Sequence, residues 1–97
     1  LSSESFRIYN DYIKNEDWRV LTKNKFAAMR YNKDAYNTYT SEGTTTIVPA
    51  NTTFDRSSIE MEGVGSTGLI RLYVTDHSST LPSGYYLFDP KNITLAS

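Results

Sequence analysis

The sequence predicts an α+β fold, with one N-terminal helix packed on a small, mostly antiparallel β-structure. Three observations predict it. Phe6, Tyr9 and Ile13 recur at i, i+3 and i+7, the spacing of a single helix face. From Trp18 onward the pattern switches to period two, in five to seven short runs with turn residues every 8–12 positions. The composition is rich in Thr and Tyr, which pack well on a pleated surface with one wet side. With 97 residues the chain is long enough for one domain, spanning 1–97. The helix takes about 2–15 and a barrel or sandwich about 18–96.

The helix is expected to start at Ser2 or Ser3 as N-cap, with Glu4 in its first turn and Asn15 as its stop. Trp18, Val20 and Thr22 then alternate with Arg19, Leu21 and Lys23. The run 26–31 is short and apolar, and its periodicity fits a strand or a helical turn. Asn32-Lys33-Asp34 reads as a turn and 36–40 as a strand. Ser41-Glu42-Gly43 reads as another turn. The β-branched run 44–48 ends at Pro49. Residues 56–61 alternate, with Ile59 and Met61 on one side and Ser58, Glu60 and Glu62 on the other. A Gly-rich turn at 63–68 precedes the strongest strand, 69–75, in which Ile70, Leu72 and Val74 line one face and Leu69, Arg71 and Tyr73 the other. A loop around Pro82 leads to strand 85–88, a tight turn at 89–92 and a last strand at 93–96.

Composition excludes several chemistries. Cysteine is absent, which removes disulfides, thiolate catalysis and Cys-type zinc sites. One histidine leaves no multi-His metal site. No apolar run is long enough to span a membrane. The net charge of -1 argues against a nucleic-acid partner, although six basic residues between Lys14 and Lys33 face only Glu16 and Asp17. Gly63-Val64-Gly65-Ser66-Thr67-Gly68 matches the dinucleotide fingerprint literally. That fingerprint needs a helix next, and an alternating strand follows instead. His77 between Asp76 and Ser78 is not a relay, because sequence neighbours cannot approach the imidazole from opposite sides. Glu60 and Glu62 would lie about 7 Å apart on one strand face, near glycosidase spacing, but so small a chain seldom builds a cleft as well as a core. No catalytic residue, metal site or cofactor is assigned.

Aromatic residues carry the strongest functional signal. Eight tyrosines exceed what one small core needs. A tyrosine has a flat apolar face and a polar tip, suited to sugars, peptides or cations. Tyr85 and Tyr86 are neighbours on a strand, so one faces in and the other out.

The segment Lys25–Thr40, a strand followed by a Tyr-rich stretch, resembles bacterial SH3-like domains of Gram-positive cell-envelope proteins. So does Gly84-Tyr85-Tyr86-Leu87 followed by Asn92-Ile93-Thr94-Leu95, which is similar to the closing strands of SH3b and surface-layer-associated repeats. The likeness covers about Lys23–Ala96. It implies an SH3-like barrel and a non-catalytic binding or anchoring module of a secreted protein, placed outside the cell in the envelope. Its ligand would be a wall glycan, stem peptide or anionic polymer. Trp18, Tyr31, Tyr36, Tyr39 and Tyr86 are expected to stack on that ligand, and Lys25, Arg30 and Lys33 to pair with its charge. The alternative is a structural or protein-interaction domain of a larger surface or phage protein, with no small ligand.

Overall fold

The computed structural model describes residues 3–97. It is an α+β architecture of one helix and two antiparallel sheets. Helix α1 runs Ser3–Lys14. The strands are β1 Arg19–Thr22, β2 Phe26–Lys33, β3 Tyr39–Val48, β4 Thr53–Phe54, β5 Ile59–Val64, β6 Ile70–Val74, β7 Gly84–Phe88 and β8 Ile93–Ala96. A three-stranded sheet has the order β4-β1-β8, and a five-stranded sheet the order β3-β2-β7-β6-β5. The two sheets do not close on each other, so the strands form no closed barrel. Within the larger sheet β2 meets β7 through two residue pairs, Arg30 with Tyr86 and Tyr31 with Tyr85.

One contiguous core lies between the helix, the three-stranded sheet and the inner face of the larger sheet. Ile70, Leu72 and Val74 of β6 are its centre, as period two requires, with Phe88, Tyr86, Ile59, Ala28 and Val48 around them. Phe88 joins the layers, because its ring sits edge-on to both Phe26 (5.1 Å between centroids) and Phe54 (5.9 Å). The buried Thr22 hydroxyl is satisfied, donating to the Pro49 carbonyl at 2.7 Å and accepting from the Thr52 amide at 2.8 Å.

The helix differs from expectation in which face it buries. Ser5, Ile8 and Tyr12 point into the protein, while Phe6 and Ile13 are 42% and 53% exposed. Both sets share the i, i+3, i+7 spacing, so spacing alone could not choose between two stripes about 100° apart. Of the expected caps, Ser2 lies outside the described residues and Ser3 opens the helix. At the other end Arg56 provides the cap. Its Nη2 donates to the carbonyls of Tyr12 and Asn15, and its Nε to that of Glu16 at 2.9 Å. The guanidinium also lies over the Tyr12 ring, 3.9 Å from its centroid.

Two turns move relative to expectation. Ser41-Glu42-Gly43 is not a turn but a bulge within one ten-residue strand, where Gly43 takes φ +79° and the β2–β3 register slips. The signal for positive φ was real, and long pairing on both sides absorbed it. The β2–β3 turn falls at 34–38 instead, and Tyr36 lies in it rather than on a strand. The Asp34 carboxylate accepts from the Tyr36 and Thr38 amides at 2.8 and 2.9 Å, and Asn37 sits at φ +62°. Of the Gly-rich segment, Gly63 and Val64 end β5 and residues 65–68 form the β5–β6 hairpin turn, so strands lie on both sides, which is not the strand–turn–helix setting of a dinucleotide site.

Candidate functional site

The outer face of the five-stranded sheet, opposite the core, carries a connected row of tyrosines. Register places Tyr31 opposite Tyr85, and Tyr85 opposite Tyr73. Tyr39, from β3, folds over them. Adjacent ring centroids are 6.2 Å apart for Tyr31–Tyr39, 5.9 Å for Tyr39–Tyr85 and 4.9 Å for Tyr73–Tyr85. These are edge-on or tilted contacts, the arrangement favoured by the ring quadrupole. All four rings are half-buried, so each is held by its neighbours and still open on one side.

A polar clasp shapes this face. Glu62 Oε1 accepts from Lys33 Nζ at 3.2 Å and from Tyr39 Oη at 3.1 Å. Tyr39 begins β3 and Glu62 belongs to β5, the two edge strands of the sheet. In a flat sheet those edges would lie about 19 Å apart, farther than a tyrosine and a glutamate reach together. The sheet therefore curls over its tyrosine face at this end, assisted by bulges in the β2–β3 and β5–β6 pairings. Lys33 also sits 5.0 Å from the Tyr85 ring centroid, a cation–π contact. Burial, then the Glu62 carboxylate, pushes the Tyr39 hydroxyl well above the ordinary tyrosine range.

The expected ligand-binding residues fall into separate places. Tyr31, Lys33 and Tyr39 come together in the clasped row. Tyr36 stands at the tip of the β2–β3 turn, 88% exposed. Tyr86 faces the opposite way. It is 1% exposed, and its hydroxyl donates to the Pro82 carbonyl at 2.8 Å, so it has no ring face to offer a ligand. Trp18 lies between the helix and β1, lining a different hollow with Arg7 and Asp11. Lys25 precedes β2, about 27 Å along the strand from Lys33. Arg30 packs over Gly84 on the inner side, and its Nε is 3.1 Å from Glu42 Oε2, an ion pair at an angle too poor for a hydrogen bond. The basic segment is thus no continuous strip: Arg19 pairs with Asp55, Arg30 with Glu42 and Lys33 with Glu62.

Residues left out of the expected set complete the face. Tyr73 and Arg71 share the outer side of β6 by simple alternation, which the sequence already displayed. Tyr85 takes the place expected of Tyr86. In 84–88 every side chain except Gly84 is apolar or aromatic, so composition gave no parity. Glu62, weighed as half of a carboxylate pair, is committed instead to Lys33 and Tyr39, while Glu60 is exposed. His77 is exposed beside Asp76 at 3.8 Å. Among the described residues no group of three or more His, Asp or Glu is placed to hold a metal ion, and no helix is long and apolar enough to cross a membrane.

The arrangement can do one thing well. It offers preoriented flat rings with polar tips along a curved surface, where sugar rings or peptide planes gain contact area at little cost in side-chain entropy. No protein-family model, curated protein or solved structure matches the chain.

Proposed function

We propose that the chain is a non-catalytic binding module of a secreted Gram-positive envelope protein, and that it lays an extended wall glycan or stem peptide across its tyrosine face. The observation that carries this reading is the row Tyr31–Tyr39–Tyr85–Tyr73, four rings in contact on the side of the sheet away from the core. A core does not need these rings there, and ordering them beside solvent is costly unless something else covers them. The affinity comes from stacking rather than charge, since Arg30 and Lys33 already have carboxylate partners. An SH3-like relationship of Lys23–Ala96 belongs to the same proposal. It is supported by the sequences of β7 and β8 and by the antiparallel pairings they make with β6 and β1.

Co-sedimentation with purified Gram-positive sacculi tests it. The chain should be retained, and Tyr73→Ala with Tyr85→Ala should cut apparent affinity by at least about tenfold, as expected for aromatic anchors, while thermal melting confirms a folded variant. Sacculi that fail to retain the chain, or retain the double variant equally well, refute the reading.

A further inference from the structure

At one end of the tyrosine face the β2–β3 turn and the β5–β6 turn stand on either side of a hollow of about 550 Å³. Arg71 lines it, together with Tyr36, Tyr39, Ser66 and Thr67. The chain has five arginines. Arg7 pairs with Glu4 and Asp11, Arg19 with Asp55, Arg30 with Glu42, and Arg56 binds helix carbonyls. Among the described residues the Arg71 side chain makes neither an ion pair nor a hydrogen bond, and its Nε is sealed from solvent without an acceptor. An arginine cannot relieve such a position by losing its proton. The Nη nitrogens keep contact with solvent, and a half-buried guanidinium with no acceptor from the protein is stabilised when an anion meets them.

The floor is built to hold that guanidinium. A Cβ at Gly63 would lie 2.8 Å from Arg71 Nη2, and one at Gly65 would lie 3.8 and 3.9 Å from its Cγ and Cδ. Gly63 also holds φ +148°, a conformation that side chains disfavour. The bare backbone lets the arginine lie against β5. Both walls are internally fixed, one by Asp34 and the other by bonds from the Gly65 amide to the Leu69 carbonyl (2.9 Å) and the Gly68 amide to the Gly65 carbonyl (3.0 Å). Ser66 and Thr67 line the same rim, and a hydroxyl of this kind can donate to an anion.

We propose that this hollow is a carboxylate subsite that receives an acidic group of the ligand, a peptide C-terminus or a sugar acid. The planar fork of an arginine suits a carboxylate, and one unpaired cation matches one negative charge. A doubly charged phosphate would keep one charge uncompensated. The subsite rests on the envelope-binding reading only for the remainder of the ligand.

A titration of the ¹⁵N-labelled full chain followed by NMR decides it. The probes are N-acetyl-trialanine as free acid and as C-terminal amide, and a glucuronate-bearing disaccharide beside its neutral glucose counterpart. The acids should shift the Arg71 Nε–H signal and the amides of Gly65, Ser66 and Thr67. The neutral probes should bind at least tenfold more weakly, and the tighter acid identifies the source. Arg71→Gln should abolish the response and Arg71→Lys weaken it severalfold. Tyr36→Ala, at a position too exposed to disturb folding, should also weaken it severalfold. Acid and neutral probes that behave alike, or a folded Arg71→Gln variant that binds like the parent, overturn the proposal. If Arg71→Gln fails to fold, the acid-against-amide comparison and Tyr36→Ala decide. Carboxylate binding without sacculus binding would sink the envelope reading and leave the subsite standing. Sacculus binding indifferent to Arg71→Gln would do the reverse.

Discussion

Tyr39 shows how one side chain joins chemistry to shape. Its ring touches Tyr31 and Tyr85, and its hydroxyl donates to Glu62 across the sheet. Ionising that hydroxyl would place a second negative charge beside the carboxylate and delete the donor, which is why its proton is held so firmly. Tyr12 and Tyr86 are raised as well, each chiefly by burial. A group whose folded value lies above its unfolded value contributes stability that is complete below the unfolded value, about 10 for tyrosine, and is lost as pH climbs through the folded one. Urea midpoints should therefore hold steady from pH 8 to about 10 and fall above it. Tyr39→Phe should flatten part of that fall, leaving the share due to Tyr12 and Tyr86, and should cost about 1 kcal/mol near neutrality through the missing hydrogen bond. An unchanged alkaline slope in the variant would show that the hydroxyl is not held in this way. The pair Tyr85 and Tyr86 marks the limit of residue-level reading. That one faces in and one out follows from strand geometry, but which one depends on Ile70, Leu72 and Val74 choosing the core side next door.

At the scale of elements, α1 is the clearest case of a part that needs the whole. Twelve residues form a marginal helix alone. What holds it is Ile8 and Tyr12 in the core and Arg56 across its C-terminal carbonyls. Arg56→Ala removes a cap, a cation–π contact and several charge-assisted bonds together. It should lower stability by about 2–3 kcal/mol, read by urea denaturation with far-UV dichroism, and Arg56→Lys should recover only a part. An alanine variant as stable as the parent would mean that solvent satisfies those carbonyls equally well. The existence of the helix, of β6 and of β8 was legible in sequence because each has a periodic run bounded by turn residues. The cap was not, because it comes from a residue 44 positions away from Tyr12. The length of β3 was hidden for a related reason: Gly43 signals a break locally, and only pairing with β2 on both sides turns it into a bulge.

The whole molecule depends on a few rings that tie its layers together. Phe88 meets Phe26 and Phe54 and is fully buried. Phe88→Ala should cost about 3–5 kcal/mol, a large share of the total for a domain of this size. A cooperative loss of both sheets in one thermal transition should accompany it. Separate transitions would instead indicate two independently stable layers. The α+β class followed from counting periods. The separation into two sheets and the curl that gathers the tyrosines did not, since both arise from contacts distant in sequence such as Glu62 with Tyr39. The outward backbone of β3 is unpaired along the edge of the large sheet, and a straight ten-residue rail would invite a sibling molecule to zip on. The bulge around Gly43, beside the charged Glu42, interrupts that rail. Neighbouring copies would find no long uninterrupted edge to pair with, and the ring-bearing side would stay free.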